Sequence, residues 1–116
     1  MQSAAYRGTE AANTAVSVTV RGKIGQRVVL DALAWSYSAA PAGGRISAVG
    51  VTSSRGVSLD VTVAGADSLP LGRYGIPFDA GEDVLITLAP GGAAVVGSVS
   101  VVARWVDDAR WQTATS

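Results

Sequence analysis

The sequence predicts one all-β domain, an antiparallel, jelly-roll-like β-sandwich with an extended arm at either end of the chain. Short segments rich in β-branched residues recur at spacings of roughly 8–14 residues, with Gly- and Pro-containing turns between them, which is typical of sandwiches and barrels. No segment has a helical period. With 116 residues, 48% of them hydrophobic, the chain can bury one core. The lack of cysteine excludes a disulfide-pinned immunoglobulin domain and leaves other sandwiches open.

The N-terminal segment, residues 1–14, is small and polar and contains one aromatic residue, Tyr6. Because it has no apolar period, we expect an extended arm or a disordered segment there. The sandwich is predicted to span residues 15–106. Its first strand is indicated by three valines at alternate positions from 16 to 20, with polar residues between them, as in a half-buried strand.

A long apolar segment, residues 27–38 (RVVLDALAWSYS), predicts the next strand. Strict alternation places one set of residues on its first face: Val29, Asp31, Leu33, Trp35 and Tyr37. The second face then carries Val28, Leu30, Ala32 and Ala34. Both faces are largely apolar, which favours a central strand or a strand with one face against a partner.

The middle of the chain predicts two strands joined by a hairpin. After the turn AAPAGG, residues 45–53 form a short apolar segment, and the hairpin turn SRG leads into a strand over residues 57–65. Alternation in that strand turns four residues inward: Val57, Leu59, Val61 and Val63. Residues 66–83 contain two prolines and three glycines, and we expect mostly loop.

The last strands are predicted to form a hairpin. Residues 83–90 and 93–106 are both rich in β-branched residues, and Gly91 and Gly92 lie between them. The polar residues 107–116 are predicted to leave the sheet as a C-terminal tail.

The composition argues against an enzyme. The chain has no histidine and no cysteine, so the commonest general base, the commonest metal ligand and thiolate chemistry are missing. One acidic cluster, Asp79, Glu82 and Asp83, has the wrong spacing for a calcium loop and predicts a solvated turn. The glycines of GKIGQ and PGGAAVVG do not match a phosphate-binding loop. We therefore predict no catalytic, cofactor-binding or metal-binding residue.

The charge balance argues against nucleic-acid and membrane partners. Nine basic and nine acidic residues give no net charge, and the arginines are scattered. No apolar run approaches the ~20 residues that span a bilayer, and the N-terminus lacks the apolar region of a signal peptide. We therefore expect the chain to be made in a cytoplasm.

Three motifs resemble a family of small structural proteins of tailed bacteriophages and prophages. They are WSYS followed by PAGG within residues 35–44, DVTVAG at residues 60–65 and LAPGGAAVVG at residues 88–97. The resemblance implies a virion component with a compact β-sandwich, and within that class a capsid decoration, or cement, protein. Such proteins sit as homotrimers on the outer shell, over three-fold junctions, with the major capsid protein as partner. The implied location is the capsid surface of a virion made in the host cytoplasm.

On this interpretation the aromatic residues are candidate contacts. Trp35, Tyr37 and Trp105 are the hypothetical oligomer interface, although filling the core is the simpler role for both tryptophans. An aromatic residue in a polar arm usually anchors that arm to a surface. The hypothetical capsid contacts therefore lie in the two arms: Tyr6, Arg7, Arg110 and Trp111.

The alternative interpretation is a carbohydrate-recognition module, such as part of a tail fibre or head fibre, with surface glycans as ligands. It would stack exposed tryptophan or tyrosine on sugar rings, beside acidic loop residues. The position of Trp35 and Trp105 separates the two. Solvent-exposed tryptophans favour sugar binding, and tryptophans buried at an interface favour a decoration protein.

Overall fold

The structure, a computed structural model, describes the backbone of residues 2–54, 56–70 and 75–107 and the side chains of residues 5–54, 56–69 and 75–107. All regular structure in these ranges is β-strand, as the sequence predicts. The strands in chain order are β1 (Gln2–Thr9), β2 (Val16–Val20), β3 (Gln26–Tyr37), β4 (Gly44–Gly50), β5 (Gly56–Val61), β6 (Gly65–Pro70), β7 (Ile76–Pro77), β8 (Val84–Leu88) and β9 (Gly97–Asp107). No helix in the described ranges is long and apolar enough to cross a bilayer.

Two antiparallel sheets pack face to face. Sheet A has the strand order β1-β9-β3-β6, with β7 also paired to β3, and sheet B has the order β2-β8-β4-β5. Apart from β4–β5 and β6–β7, every connection crosses from one sheet to the other, which is the wiring of a jelly roll. The predicted jelly-roll-like sandwich is therefore confirmed.

The connections meet at two ends of the sandwich. At the first end, the Asn13 amide donates to the Val95 carbonyl (2.9 Å) and the Ala42 amide to the Gly91 carbonyl (2.8 Å). At the second end, the Val51 amide donates to the Asp83 carbonyl at 3.0 Å. Hydrogen bonds between neighbouring connections fix each end, because backbone groups left unpaired there would be costly.

The N-terminal segment is part of the sandwich and not an arm outside it. Residues 2–9 form β1, which pairs along its whole length with β9. Apart from Tyr6, its residues are small or polar, so the backbone ladder with β9 holds most of the strand. That is why the segment has no readable apolar period. At the other end of the chain, β9 continues to Asp107, and residues 108–116 of the predicted tail lie outside the described residues.

Strand β3 matches its predicted position, but its faces were assigned wrongly beyond residue 31. The pairing with β9 shifts by one residue between Leu30 and Ala32, which makes Asp31 a β-bulge. Val28 and Leu30 therefore face the same core as Leu33, and Val29 lies buried on the outer side. One extra residue in a strand exchanges the faces on either side of it.

Two other connections differ from the prediction. Residues 66–70 belong to β6, which pairs with β3, because polar residues on an exposed edge strand give no apolar alternation. Residues 84–106 do not form a hairpin: β8 lies between β2 and β4, and β9 lies between β1 and β3 in the other sheet. The chain crosses between sheets over residues 89–96, where Val95 is buried in the core.

Strand β5 is only partly inward-facing. Val61 is buried and Val57 half-buried, but Leu59 is 43% exposed and Val63 lies beyond the strand in an exposed turn. The alternation is as predicted within the strand. Leu59 is exposed because β5 is an edge strand and sheet A does not cover this side of sheet B.

Candidate functional site

The three aromatic residues predicted at an oligomer interface belong to the core. Trp35, Tyr37 and Trp105 expose only 2–5% of their surface. The Tyr37 hydroxyl donates to the Ala89 carbonyl (2.6 Å), and the Trp105 indole N–H donates to the Arg21 carbonyl (2.9 Å). Burial also raises the pKa of Tyr37. Residues this deeply buried in their own sandwich have almost no surface to offer a partner, so the interface assignment is corrected.

The predicted capsid contacts on β1 point in opposite directions. Tyr6 pairs with Val101 and packs, partly buried, against the core. Arg7 pairs with Ser100 and is exposed on the outer face of sheet A. Tyr6 is therefore not free to reach a capsid, whereas Arg7 lies on an accessible surface. Arg110 and Trp111 lie outside the described residues.

A trough of about 540 Å³ crosses the outer face of sheet A. Small side chains form its floor, because Ala34 and Ser36 of β3 lie beside Ser98 and Ser100 of β9. Arg7 on β1 stands at one rim, and the edge strand β6, with Asp67, forms the other. Its volume is within the range of about 300–1,000 Å³ that is typical of small-molecule sites.

The chemistry of the trough is that of hydroxyl groups. The Ser36 and Ser98 hydroxyls share a hydrogen bond of 2.6 Å, and the Thr9 hydroxyl donates to the Gly97 carbonyl at 3.1 Å. Ser100 and Arg7 complete a polar surface. Trp35 contributes to the lining but is buried, so neither it nor Trp105 is a stacking platform for a sugar ring.

A second surface feature is aliphatic. Val49 of β4 and Leu85 of β8 are directly opposite each other on the outer face of sheet B, and both are partly exposed. Val51 follows at the end of β4 and is more exposed. Ile24 is fully exposed at the same end of the sandwich. We call these four residues the aliphatic patch.

Ile24 is held at the tip of a tight turn. The Gln26 amide donates to the Lys23 carbonyl (3.0 Å), and Gly25 has φ = +76°, which is the arrangement of a type II turn with Ile24 at its second position. Glycine suits the third position because the left-handed conformation has no penalty there. A β-branched apolar residue at such a tip gains nothing from the fold of its own chain.

Asp83 joins the turn that carries Ile24 to the turn that carries Val51. Its carboxylate accepts from the Gly22 amide (2.7 Å) and from the Arg21 guanidinium (3.3 Å), and its carbonyl accepts from the Val51 amide. The two turns are thus tied to one residue of the β7–β8 connection. The aliphatic patch has a fixed geometry at the second end.

The acidic cluster is not the solvated turn that the sequence predicts. Glu82 is only 5% exposed and accepts four hydrogen bonds, from the Thr52 amide (3.0 Å), the Ser53 amide (2.9 Å), the Ser53 hydroxyl (2.8 Å) and the Asp79 amide (2.8 Å). Burial raises the pKa of Glu82, but these bonds together outweigh burial and the pKa is lowered. Glu82 fixes the second end and is not available as a ligand.

The described residues contain no cluster of three or more acidic, cysteine or histidine side chains that could hold a metal ion. The two surface features were missed by the sequence analysis for different reasons. The trough depends on which strands are neighbours, which no local pattern shows. Ile24 was visible as an apolar residue between the glycines of GKIGQ, a turn in which apolar residues are unusual.

Comparison with known proteins gives no family. No protein-family profile and no curated protein matches the sequence. Solved structures with a similar chain course include a virus-like particle of the extra small virus of the giant freshwater prawn Macrobrachium rosenbergii, with 11% identity, a TM-score of 0.35, and coverage of 90% of this chain and 78% of that one.

Two further structures are a Bacillus endospore appendage protein and the carbohydrate-binding module TmCBM61 in complex with β-1,4-galactotriose. The first has 17% identity, a TM-score of 0.39, and coverage of 88% of this chain and 83% of that one. The second has 14% identity, a TM-score of 0.42, and coverage of 86% and 69%. These are remote likenesses, and a functional assignment has to rest on the residues of this chain.

Proposed function

We propose that the chain is a bacteriophage virion structural protein that decorates the outer capsid surface as a homotrimer and stabilises the shell by binding, without catalysis. The observation that carries the proposal is the aliphatic patch. Four exposed aliphatic side chains at one rigid end form a surface that is unfavourable in water and suited to a protein partner. The motifs at residues 35–44, 60–65 and 88–97 resemble those of phage structural proteins, and this resemblance supports the major capsid protein as that partner.

The end of β9 lies at the same end of the sandwich as the aliphatic patch. Asp107, the last residue of β9, pairs with Gln26, which closes the turn that carries Ile24, and the Gln26 side-chain amide donates to its carboxylate at 3.1 Å. The described part of the chain therefore ends beside the turn that carries Ile24.

The mechanism is additive binding. Each copy of a homotrimer presents one aliphatic patch, so three modest contacts act together and raise the affinity for a shell that carries three matching sites. Because such sites exist only in the assembled shell, binding stabilises assembly relative to separated subunits. No reacting group is needed.

The direct test is binding of the purified chain to capsid shells that lack it, followed by sedimentation of the shells. Leu85→Asp places a charge in the aliphatic patch and is expected to weaken binding at least tenfold. Val102→Asp is the matched control, because Val102 is 42% exposed on sheet A and Leu85 is 40% exposed on sheet B. Equal binding of both variants and the native chain would remove the patch from the proposal.

The stabilising role has its own measurement. Shells are heated with and without the bound chain, and the rupture temperature is recorded. We expect a higher rupture temperature with the native chain and no increase with Leu85→Asp at the same concentration. Tight binding with an unchanged rupture temperature would contradict the cementing role.

The trough favours carbohydrate binding as a second candidate function. Its floor of serine hydroxyls and the charged Arg7 at its rim match a polyhydroxylated ligand, and the absence of an exposed tryptophan among Trp35 and Trp105 predicts weak affinity. A glycan panel tests this, with Ser100→Trp as the variant that fills the trough. Binding that survives Ser100→Trp, or no binding at millimolar glycan, rejects this candidate.

A further inference from the structure

The edges of sheet A at β1 and at β6 differ in how well sheet B covers their inner faces. At the β1 edge the sandwich is closed: a Cβ atom on Gly8 would lie 3.0 Å from Val16 and from Val18 of sheet B. At the β6 edge it is open, since Leu59 of β5 faces inward yet is 43% exposed and Leu69 of β6 is only half-buried. Apolar side chains on the inner face of the open edge lack cover.

Strand β1 is built to accept another strand. It is eight residues long, contains neither proline nor lysine, and has β9 on one side only. Every second residue of an edge strand directs its amide and carbonyl away from the sheet. A long edge without such protection is a template for pairing with a further strand.

Strand direction makes β6 of a second copy a suitable partner. Within sheet A, β1 is antiparallel to β9, β9 to β3 and β3 to β6, so β6 runs antiparallel to β1. Placed next to β1, β6 of another copy continues the antiparallel order of the sheet.

We propose that β1 of one copy pairs with β6 of the next, so that three copies close a ring through identical head-to-tail contacts. The inference rests on the proposed homotrimer and names its interface. A head-to-tail contact uses two different surfaces and leaves both available on every copy, and it gives a closed ring when the rotation between copies closes.

The register follows from the faces of the two strands. Tyr6 and Gly8 face inward on β1, and Asp67 and Leu69 face inward on β6. Residues opposite each other in a sheet share a face, and a slip of one residue breaks this match. Tyr6 opposite Leu69 of the next copy covers the open apolar edge, and Gly8 opposite Asp67 adds no side chain that would meet the carboxylate. Pro70 ends the pairing because it has no amide hydrogen.

Cysteine trapping tests the register directly, because the chain contains no cysteine. The double variant Tyr6→Cys/Leu69→Cys is expected to give a covalent three-chain species on oxidation, resolved on a non-reducing denaturing gel. The single variants Tyr6→Cys and Leu69→Cys are the controls and are expected to remain monomers. Covalent dimers from Tyr6→Cys alone would show two-fold pairing of β1 with itself and overturn the proposal, as would a double variant that stays monomeric.

A mass measurement tests the same contact without cysteine. Light scattering after size exclusion is expected to give a trimer mass for the native chain and a lower mass for Leu69→Asp, which places a carboxylate at the covered apolar edge. Val102→Asp, at an exposed position on the outer face of sheet A, is the control and should remain trimeric. A native chain that is monomeric at all concentrations, or a Leu69→Asp variant that remains a trimer, overturns the proposal.

These outcomes are separate from those of the proposed function. A trimer trapped in solution that does not bind shells keeps the interface and removes the decorating role. A monomer that binds shells through Leu85 keeps the decorating role and removes the interface. Melting temperatures of all variants, measured in parallel, show that each one is folded.

Discussion

Glu82 shows how one buried charge fixes a functional end of the molecule. Its carboxylate binds the Thr52 and Ser53 amides on one side and the Asp79 amide on the other. Gly50 is required beside it, since a Cβ atom there would lie 2.7 Å from both carboxylate oxygens. The turn that carries Val51 is therefore positioned by a residue that has no exposed surface of its own.

Replacing Glu82 by glutamine is expected to lower the free energy of unfolding by about 3 kcal/mol, because the new amide group donates where the site already supplies donors. Urea denaturation measures the change. Asp60→Asn is the control: Asp60 is exposed and pairs with Arg45 at 2.9 Å, and such surface pairs contribute less than about 1 kcal/mol. A loss of unfolding free energy for Glu82→Gln no larger than that for Asp60→Asn would contradict a stabilising role of the Glu82 carboxylate.

The lowered pKa of Glu82 also predicts the direction of acid sensitivity. A carboxyl group whose pKa is lower in the folded chain than in the unfolded chain contributes stability above its unfolded pKa of about 4.3, and this stability is lost as pH falls through the folded pKa. Melting temperatures between about pH 7 and pH 3 measure it. The native chain is expected to lose stability more steeply than Glu82→Gln below about pH 4.5. Parallel curves of melting temperature against pH for the two chains would show that other groups cause the loss of stability at low pH.

At the scale of elements, the bulge at Asp31 decides which side chains enter the core. Without the bulge, regular alternation through Asp31 would place Val28 and Leu30 on the face opposite Leu33. Asp31 itself accepts a hydrogen bond from the Arg104 guanidinium at 3.0 Å on the outer face. The bulge is thus held by its own ion pair, and both halves of β3 present apolar residues to one core.

Deletion of Asp31 is expected to leave the chain folded, because the remaining residues of β3 then alternate regularly and Val28, Leu30 and Leu33 keep the same face. Asp31→Ala keeps the extra residue and loses only the ion pair with Arg104, so we expect a loss of about 1 kcal/mol. Circular dichroism and urea denaturation distinguish the two. A deletion variant that does not fold would mean that the fold needs the bulge itself and not only the alternation of the core residues.

How far the sequence predicts this molecule depends on whether a feature is local. The strands around Val18, Trp35 and Ile86 were predicted because each buries one face, and burial leaves a period of two. Strand β1, strand β6 and the bulge at Asp31 were not, since edge strands are held by backbone pairing and a bulge leaves no trace in composition. The core role of Trp35 and Trp105 was recognised as the simpler alternative, whereas the trough required knowledge of which strands are adjacent.

At the scale of the whole molecule, the surface separates into features with different chemistry. The outer face of sheet A carries Arg7 and a row of hydroxyl groups, and the second end carries the aliphatic patch with Ile24 at its tip. The chain as a whole has no net charge, with nine residues of each sign. Contacts through the patch should therefore respond little to salt.

Binding to the shell is expected to depend little on salt, because aliphatic contacts are not screened and a neutral chain has no long-range attraction to lose. Affinity for shells, measured at about 50 mM and 500 mM NaCl, should change by less than about threefold. Over this range the Debye length is shorter than the molecule, so charges elsewhere on the chain are screened from the shell. Association of the chain with itself should also change little over the same range, because the pairing of β1 with β6 uses backbone hydrogen bonds and the contact of Tyr6 with Leu69. A steep loss of shell binding with salt, retained in Leu85→Asp, would instead make charged residues the capsid contact.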